Sequence, residues 1–443
     1  MAIEEKYHQA LVRRQPFWTR LSPTVIKQRV EQILMAPNSA AVVQALSPVE
    51  FVLLLKEAPE TRSALLALAQ PQQCRTVLDL DCWEKDTLRS ARVVEWLEEL
   101  QRSGLDIFQS VLEVLDSEML ILTFRKYIRV HAALPTEEEA EPSPYDEVFA
   151  NELYRIEFIS PDNVWNEGIG RLLQMLRLTD LDGYHSLMQG VMWGQDSELE
   201  EWAYRWKSGR LLDEGFPEYY EAIETYRLAD LAQPLATSGM SEETPGMPES
   251  AEVSGAVPSY AWGLTRAGSL LDTAVSSALS VETQERLCWE MVYLCNRELV
   301  IDQVDFAALR AVHTSLARVH AYINIGLEYL RDTSRQPLTV LLTTHALHTI
   351  YQIGVTLSLH LHQRALRVHA HLSGATGLRR ALGGLAHRVM EGLLSRPPQF
   401  FEGAMSHGET GYRDFLSLQD ITRVNTLLTA VEDDPAYDLQ RSA

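Results

Sequence analysis

Four carboxylates crowd into eight residues: Asp79, Asp81, Glu84 and Asp86 form the pattern D-x-D-x-x-E-x-D. Hard divalent cations take several oxygen ligands, so this cluster is a candidate metal site. It departs from a calcium loop, because Trp83 stands where a ligand would be and no glycine marks the sharp turn. The simpler expectation is a turn between helices, in which Asp81 or Asp86 caps a helix N-terminus while Leu80 and Trp83 face the core.

Histidine is the second candidate. Ten of the thirteen histidines lie between His313 and His407. His345, His348, His360, His362, His369 and His371 are expected on one helical stretch, where only His345 and His348 stand close enough to chelate a single ion. His313 and His320, seven apart on an earlier helix, could complete the set. No HExxH, ExxH or CxxC companion accompanies them. The plainer expectation is a set of polar residues on half-buried helices, hydrogen-bonded to carbonyls. No cofactor is expected.

Cationic and aromatic residues give two further patterns. Residues 333–390 hold no Asp or Glu but carry Arg335, Arg364, Arg367, Arg379, Arg380 and Arg388. Arg364, Arg367, Arg379 and Arg380 are candidates for an acidic or phosphorylated partner, since guanidinium forks suit such groups. Pairing with the chain's own acidic middle is the competing reading. Trp202, Tyr204, Trp206, Lys207 and Arg210 could stack nucleic-acid bases, but Glu198, Glu200 and Glu201 lie beside them, and an interdomain packing face is expected instead. There is no G-x-S-x-G elbow, phosphate-binding loop or G-x-G-x-x-G after a strand, so nothing in the sequence points to a nucleophile.

The elements that must position these residues read as helices almost throughout. In residues 92–101, Val93, Val94, Trp96, Leu97 and Leu100 recur at three-and-four spacing, with Glu95, Glu98 and Glu99 left for solvent. Alternation is scarce; its best instance is residues 153–159, where Tyr154, Ile156 and Phe158 share a strand face. The expected class is all-α, with a helical-hairpin repeat in a superhelical N-terminal unit, further helical bundles after it, and at most a minor β element near 153–159. The repeat rests on Pro48 and Pro71, each opening a helix 23 residues apart, and on Pro161; proline is tolerated there because its missing N–H would be unpaired anyway.

Two segments break the periodicity. Residues 135–145 hold four glutamates and three prolines, and residues 232–260 hold four prolines among Gly, Ser, Glu and Thr. Both read as linkers too poor in apolar surface to offset their ordering entropy. They divide the chain into an N-terminal helical unit (1–134), an acidic middle unit (145–231), a linker (232–259) and a C-terminal helical unit (260–443).

The stretches Val77 to Leu100, Leu199 to Tyr226 and Arg396 to Leu428 together resemble an uncharacterised bacterial family, one of the domains of unknown function. That resemblance covers most of the chain and implies a cytoplasmic all-helical protein without assigning an activity. Val43 to Asp86, where short proline-started helices lead into the run LDLD, resembles in pattern the cytosolic N-terminal helical domain of magnesium transporters, a superhelical regulatory module.

Composition bounds what remains. The 443 residues include 39 Lys plus Arg against 61 Asp plus Glu, a net charge of −22. The excess is concentrated: −1 for residues 1–134, −19 for 135–259 and −2 for 260–443. Bulk attraction to nucleic acid is thereby disfavoured. Residues 336–363 lack charged side chains, but their histidines and threonines suit a buried helix better than a membrane span. Cys74, Cys82, Cys288 and Cys295 form no CxxC pair, in keeping with a reducing cytoplasm. The leading expectation is a non-enzymatic protein whose stacked helices bind other proteins. The alternatives are a metal- or cofactor-binding regulator using the histidines or the Asp79–Asp86 cluster, and an enzyme with an unfamiliar interdomain site.

Overall fold

The computed structural model describes residues 22–132, 153–159, 163–231, 258–277, 279–371, 384–406 and 408–433. The expected linker at 135–145 and residues 232–257 of the one expected at 232–259 lie outside these residues, as do Ser160 and Pro161, whereas Pro258 and Ser259 are described and Ser259 opens a helix. The described residues form twenty α-helices and three two-stranded antiparallel sheets, an all-α fold with minor β elements. They separate into two compact units, 22–218 with 303–309 and 219–302 with 310–433.

The first unit contains α1 (Pro23–Leu34), α2 (Ser39–Gln44), α3 (Pro48–Glu57), α4 (Arg62–Leu66) and α5 (Pro71–Asp81). A hairpin of β1 (Trp83–Glu84) and β2 (Thr87–Leu88) leads into α6 (Ser90–Ser103), α7 (Leu105–Leu112) and α8 (Ser117–Arg125). Then come β3 (Ile128–Ala132), β4 (Tyr154–Phe158), α9 (Asn163–Thr179), α10 (Leu181–Trp193) and α11 (Asp196–Asp213).

Local chemistry explains the helix starts. Ser22 accepts from the Val25 amide ahead of Pro23, and Ser47 and Glu50 form a reciprocal capping box around Pro48. The stripe Val93, Val94, Trp96, Leu97 and Leu100 of α6 is buried as its spacing requires. Helix α8 is buried on every side from Met119 through Phe124, with Thr123 the one polar residue of that run, and α6, α10 and α11 pack around it. Gly190 lets α10 approach closely, because a methyl group there would overlap the Ile121 side chain. The alternation at 153–159 is strand β4, with Tyr154 and Ile156 buried, paired to β3 in the register Val130↔Ile156.

The second unit contains α12 (Tyr219–Ile223), α13 (Ser259–Gly263), α14 (Leu270–Val275), α15 (Val281–Ile301) and α16 (Leu309–Ser334). It continues through α17 (Leu338–Thr344), α18 (Leu347–His371), α19 (Gly384–Leu394), β5 (Phe400–Phe401), β6 (Tyr412–Arg413) and α20 (Leu418–Glu432). Helices α16 and α18 cross with their backbones in contact. A methyl group at Gly326 would overlap the Ile350 carbonyl, and one at Gly354 would overlap the Tyr322 carbonyl.

One expectation about this unit is corrected. The histidines were expected on a single helical stretch, yet the helix breaks at His345, whose φ of −115° and ψ of 139° are extended. The cause is a pair of side chains on α15. Arg286 donates to the Leu342 carbonyl at the end of α17, and Glu290 accepts from the Leu347 amide at the start of α18, 2.8 Å away. Both helix ends are satisfied by one salt-bridged pair, Arg286 and Glu290, 2.9 Å apart. Among the described residues no helix is long and apolar enough to cross a membrane.

Candidate functional site

The four carboxylates of the acidic cluster are separated by the end of α5 and the hairpin after it. Asp79 is 1% exposed and accepts two hydrogen bonds from Arg210 of α11, from Nε at 2.8 Å and Nη2 at 2.9 Å. Arg210 also bonds both oxygens of Asp116, at 2.9 and 2.6 Å, so two carboxylates clamp one guanidinium. Burial pushes the Asp79 carboxyl above its usual range, against the opposing pull of Arg210.

Asp81 faces the opposite way. Its Oδ2 accepts from Lys56 Nζ at 2.5 Å and from the Trp96 indole N–H at 2.8 Å, with Arg92 Nε 3.3 Å away. Lys56 and Asp81 are an almost fully buried pair, their side chains 5% and 7% exposed. Neither Asp81 nor Asp86 was found capping a helix: Asp81 is held in that ion pair, and Asp86 lies in the hairpin turn beside Thr87. Glu84 is exposed and pairs with Arg89 at 2.6 Å. The chain bends sharply at Lys85, whose φ of 56° takes the part a glycine would play.

Above the Lys56–Asp81 pair lies a cleft of about 370 Å³ lined in part by Arg62, Arg92, Trp96, Glu99 and Arg102. Arg62 stands over the Trp96 ring, 5.3 Å from its centroid, and Lys56 is 5.6 Å from the same centroid. The cations are matched from within: Arg92 by Glu95 at 2.8 Å, Arg102 by Glu99 at 2.8 Å and Glu98 at 3.2 Å. A charged ligand entering here must displace an existing ion pair.

The histidine candidates are dispersed. His320 is buried on α16, its Nδ1 3.3 Å from Thr265 Oγ1, and burial lowers its pKa to about 4. His348, on α18, is likewise lowered to about 4 by burial and by the nearby Arg297 charge. His313 and His345 are half-buried and lowered by the same desolvation. His362 has its Nδ1 2.6 Å from the Leu393 carbonyl, the kind of contact expected of a polar residue on a packed helix. Among the described residues no three His, Cys, Asp or Glu side chains gather as a metal ion would require. All four cysteines are free and buried.

Of the arginine candidates, Arg364 reaches along α20 to bond Asn425, Thr429 and Glu432, the last at 2.6 Å. Its acidic partner is thus at the C-terminal end of its own unit. Arg367 is exposed on α18, and Arg379 and Arg380 lie outside the described residues.

A buried network that sequence reasoning missed holds the second unit together. Glu298 is 1% exposed and accepts from Tyr226 at 2.8 Å, Tyr351 at 2.6 Å and Arg318 Nη1 at 2.9 Å. Arg318 also bonds Asp302 at 2.9 Å and Asp414 at 3.2 Å. Burial raises the Glu298 carboxyl and both phenols. The available signal is that Arg318 is the sole Asp, Glu, Lys or Arg between Arg310 and Glu328 of α16, in a stretch that is mostly buried, where a cation demands buried partners.

The aromatic set on α11 divides by face. Tyr204 and Lys207 turn inward: Tyr204 meets the Trp83 ring at 6.2 Å, and Lys207 Nζ sits 5.5 Å from the Trp83 centroid and 5.1 Å from that of Tyr204. With Arg210 they bind α11 to its own unit. Trp202 and Trp206 project outward, 45% and 49% exposed, stacked at 5.9 Å with 25° between planes. Arg205 lies over the Trp202 ring at 5.4 Å. Gly209 and Leu212 continue this exposed face, whose successive residues 198, 202, 205, 209 and 212 follow helical spacing.

A family model described as Family of unknown function (DUF6178) matches residues 5–434. No curated protein and no solved structure matches the chain. The magnesium-transporter likeness of Val43 to Asp86 therefore rests on its pattern alone.

Proposed function

The chain belongs to the DUF6178 family over nearly its whole length, and from that premise we propose that it is a non-enzymatic binding protein whose packed helices present a surface to another protein. One observation carries this reading: Trp202 and Trp206 are held stacked and half in solvent on a helix whose other face is anchored by Arg210. Exposing two indoles is unfavourable by roughly 1–3 kcal/mol each relative to burying them, by the usual area scale. Tryptophan is also the residue type most enriched among the anchors of protein interfaces.

The buried charges of the molecule support the same reading. Asp79, Asp81, Glu290 and Glu298 are each engaged by fixed donors of the chain. Their work is to fix helices in place. A rigid support under an exposed aromatic pair is what a preorganised binding surface needs.

The test is affinity purification from native cells, comparing the wild-type chain with a Trp202→Ala/Trp206→Ala variant by quantitative mass spectrometry. The proposal expects at least one protein to be depleted about tenfold or more with the variant, the size of a 1.4 kcal/mol loss. Indistinguishable sets of recovered proteins would contradict it.

A further inference from the structure

We infer that the partner seated on the outer face of α11 is a cationic amphipathic helix that places one bulky apolar side chain in the notch at Gly209. This deepens the binding reading above and rests on it. Three features of the face support the inference.

The first is shape. A Cβ built at Gly209 meets nothing within 4 Å, so the face has an open gap where every other residue type would put a side chain. Trp206 stands one turn before this gap and Leu212 one turn after it, both exposed. A gap bordered by apolar side chains at helical spacing is the hole into which a partner helix inserts a knob.

The second is charge. Glu198, Glu200 and Glu201 are exposed just before the tryptophan pair and Asp213 is exposed just after Leu212. None of these four carboxylates has a cation partner among the described residues, whereas Asp196 is paired with Arg125 at 3.2 Å. An apolar stripe bracketed by uncompensated carboxylates selects a partner with apolar residues on one face and Lys or Arg beside them. The same carboxylates oppose a second copy of this chain, because a face packed on itself would set like charges together.

The third is the state of Arg205. It is exposed, has no carboxylate partner among the described residues and covers the Trp202 ring instead. It shields that indole in the free protein and can swing aside as a partner arrives.

The experiment is calorimetric titration of the purified full chain with three synthetic 18-residue helices. One is a Leu/Lys amphipathic helix with a central Phe, one is its Leu/Glu counterpart, and one keeps the Leu/Lys/Phe composition in scrambled order so that no apolar face exists. The inference expects the first to bind at least about tenfold more tightly than either control. It expects Gly209→Leu, which fills the notch without burying anything, to weaken that binding about tenfold, with circular dichroism and thermal midpoint reporting that the variant is folded. Glu198→Gln/Glu201→Gln should weaken it severalfold and flatten its salt dependence.

Equal binding of the scrambled peptide, or full binding by a folded Gly209→Leu variant, overturns the inference. If none of the peptides binds while Trp202→Ala/Trp206→Ala still loses a partner from cells, the partner is not a cationic helix and the broader reading stands. If both fail, both fall.

Discussion

Arg210 reaches across 131 residues of sequence to close on Asp79 with two hydrogen bonds, of 2.8 and 2.9 Å, and so joins α11 to α5. The same guanidinium engages Asp116 at the start of α8. Removing it leaves a carboxylate that is 1% exposed without its cation. Breaking a buried pair from one side costs about 3–5 kcal/mol. Arg210→Ala should therefore lower unfolding free energy by about that amount, and Arg210→Lys should recover only part, since an ammonium cannot reproduce the fork. Urea unfolding of the three proteins is the check. A loss below 1 kcal/mol for Arg210→Ala would show that the clamp does not hold α11 in place.

Two glycines should respond in opposite directions to the same substitution. Gly354→Ala forces a methyl group into the Tyr322 carbonyl where α16 and α18 touch, and backbone cannot yield as a side chain can. A loss of about 3 kcal/mol or more is expected, at or beyond the upper end for overpacking. Gly209→Ala adds a methyl group into open space on an exposed helix and should raise stability by about 0.5–1 kcal/mol through helix propensity. Thermal denaturation of both variants decides the matter. A neutral Gly354→Ala would contradict the close backbone contact between α16 and α18.

His320 makes stability depend on pH in one window. Burial lowers its pKa to about 4, while an unfolded imidazole titrates near 6.5. Between those values the unfolded chain binds a proton that the folded chain refuses, so unfolding becomes easier as pH falls. The contribution is complete above pH 6.5 and is lost as pH drops toward 4, amounting to about 3 kcal/mol at most. Denaturant titrations at pH 7, 6, 5 and 4.5 should show a steeper decline for wild type than for His320→Gln. Parallel curves would assign the acid sensitivity to other groups.

Local periodicity made much of the architecture legible. The stripe of α6, the proline starts of α3 and α5 and the alternation of β4 are each set by residues within a turn or two. What could not be read depends on distant partners. The break at His345 is made by Arg286 and Glu290, more than fifty residues earlier, while residues 338–371 carry an unbroken apolar pattern of their own. Strand β3 is short and alternates only through Ile128 and Val130, so its pairing with β4 shows only in the fold. The acidic cluster was visible as a cluster, but its division into two opposed clamps depends on Arg210 and on Lys56 with Trp96, which arrive from separate helices. Trp202 and Trp206 stand out in the sequence by composition, but their exposure is set by Tyr204, Lys207 and Arg210 taking the inward face of α11.

The central claim is that the stacked tryptophans form a binding surface, and site-specific photocrosslinking in native cells addresses it most directly. A photoreactive residue placed at Arg205, beside Trp202, should yield one discrete adduct with another protein; the same residue at exposed Glu113, on α7's C-terminal end, should not yield it. The adduct at 205 should disappear in the Trp202→Ala/Trp206→Ala background while the thermal midpoint of the protein stays within about 2 °C, because neither indole is part of the core. An adduct that persists without the tryptophans, or no adduct at 205 with efficient photoreaction, would contradict the account.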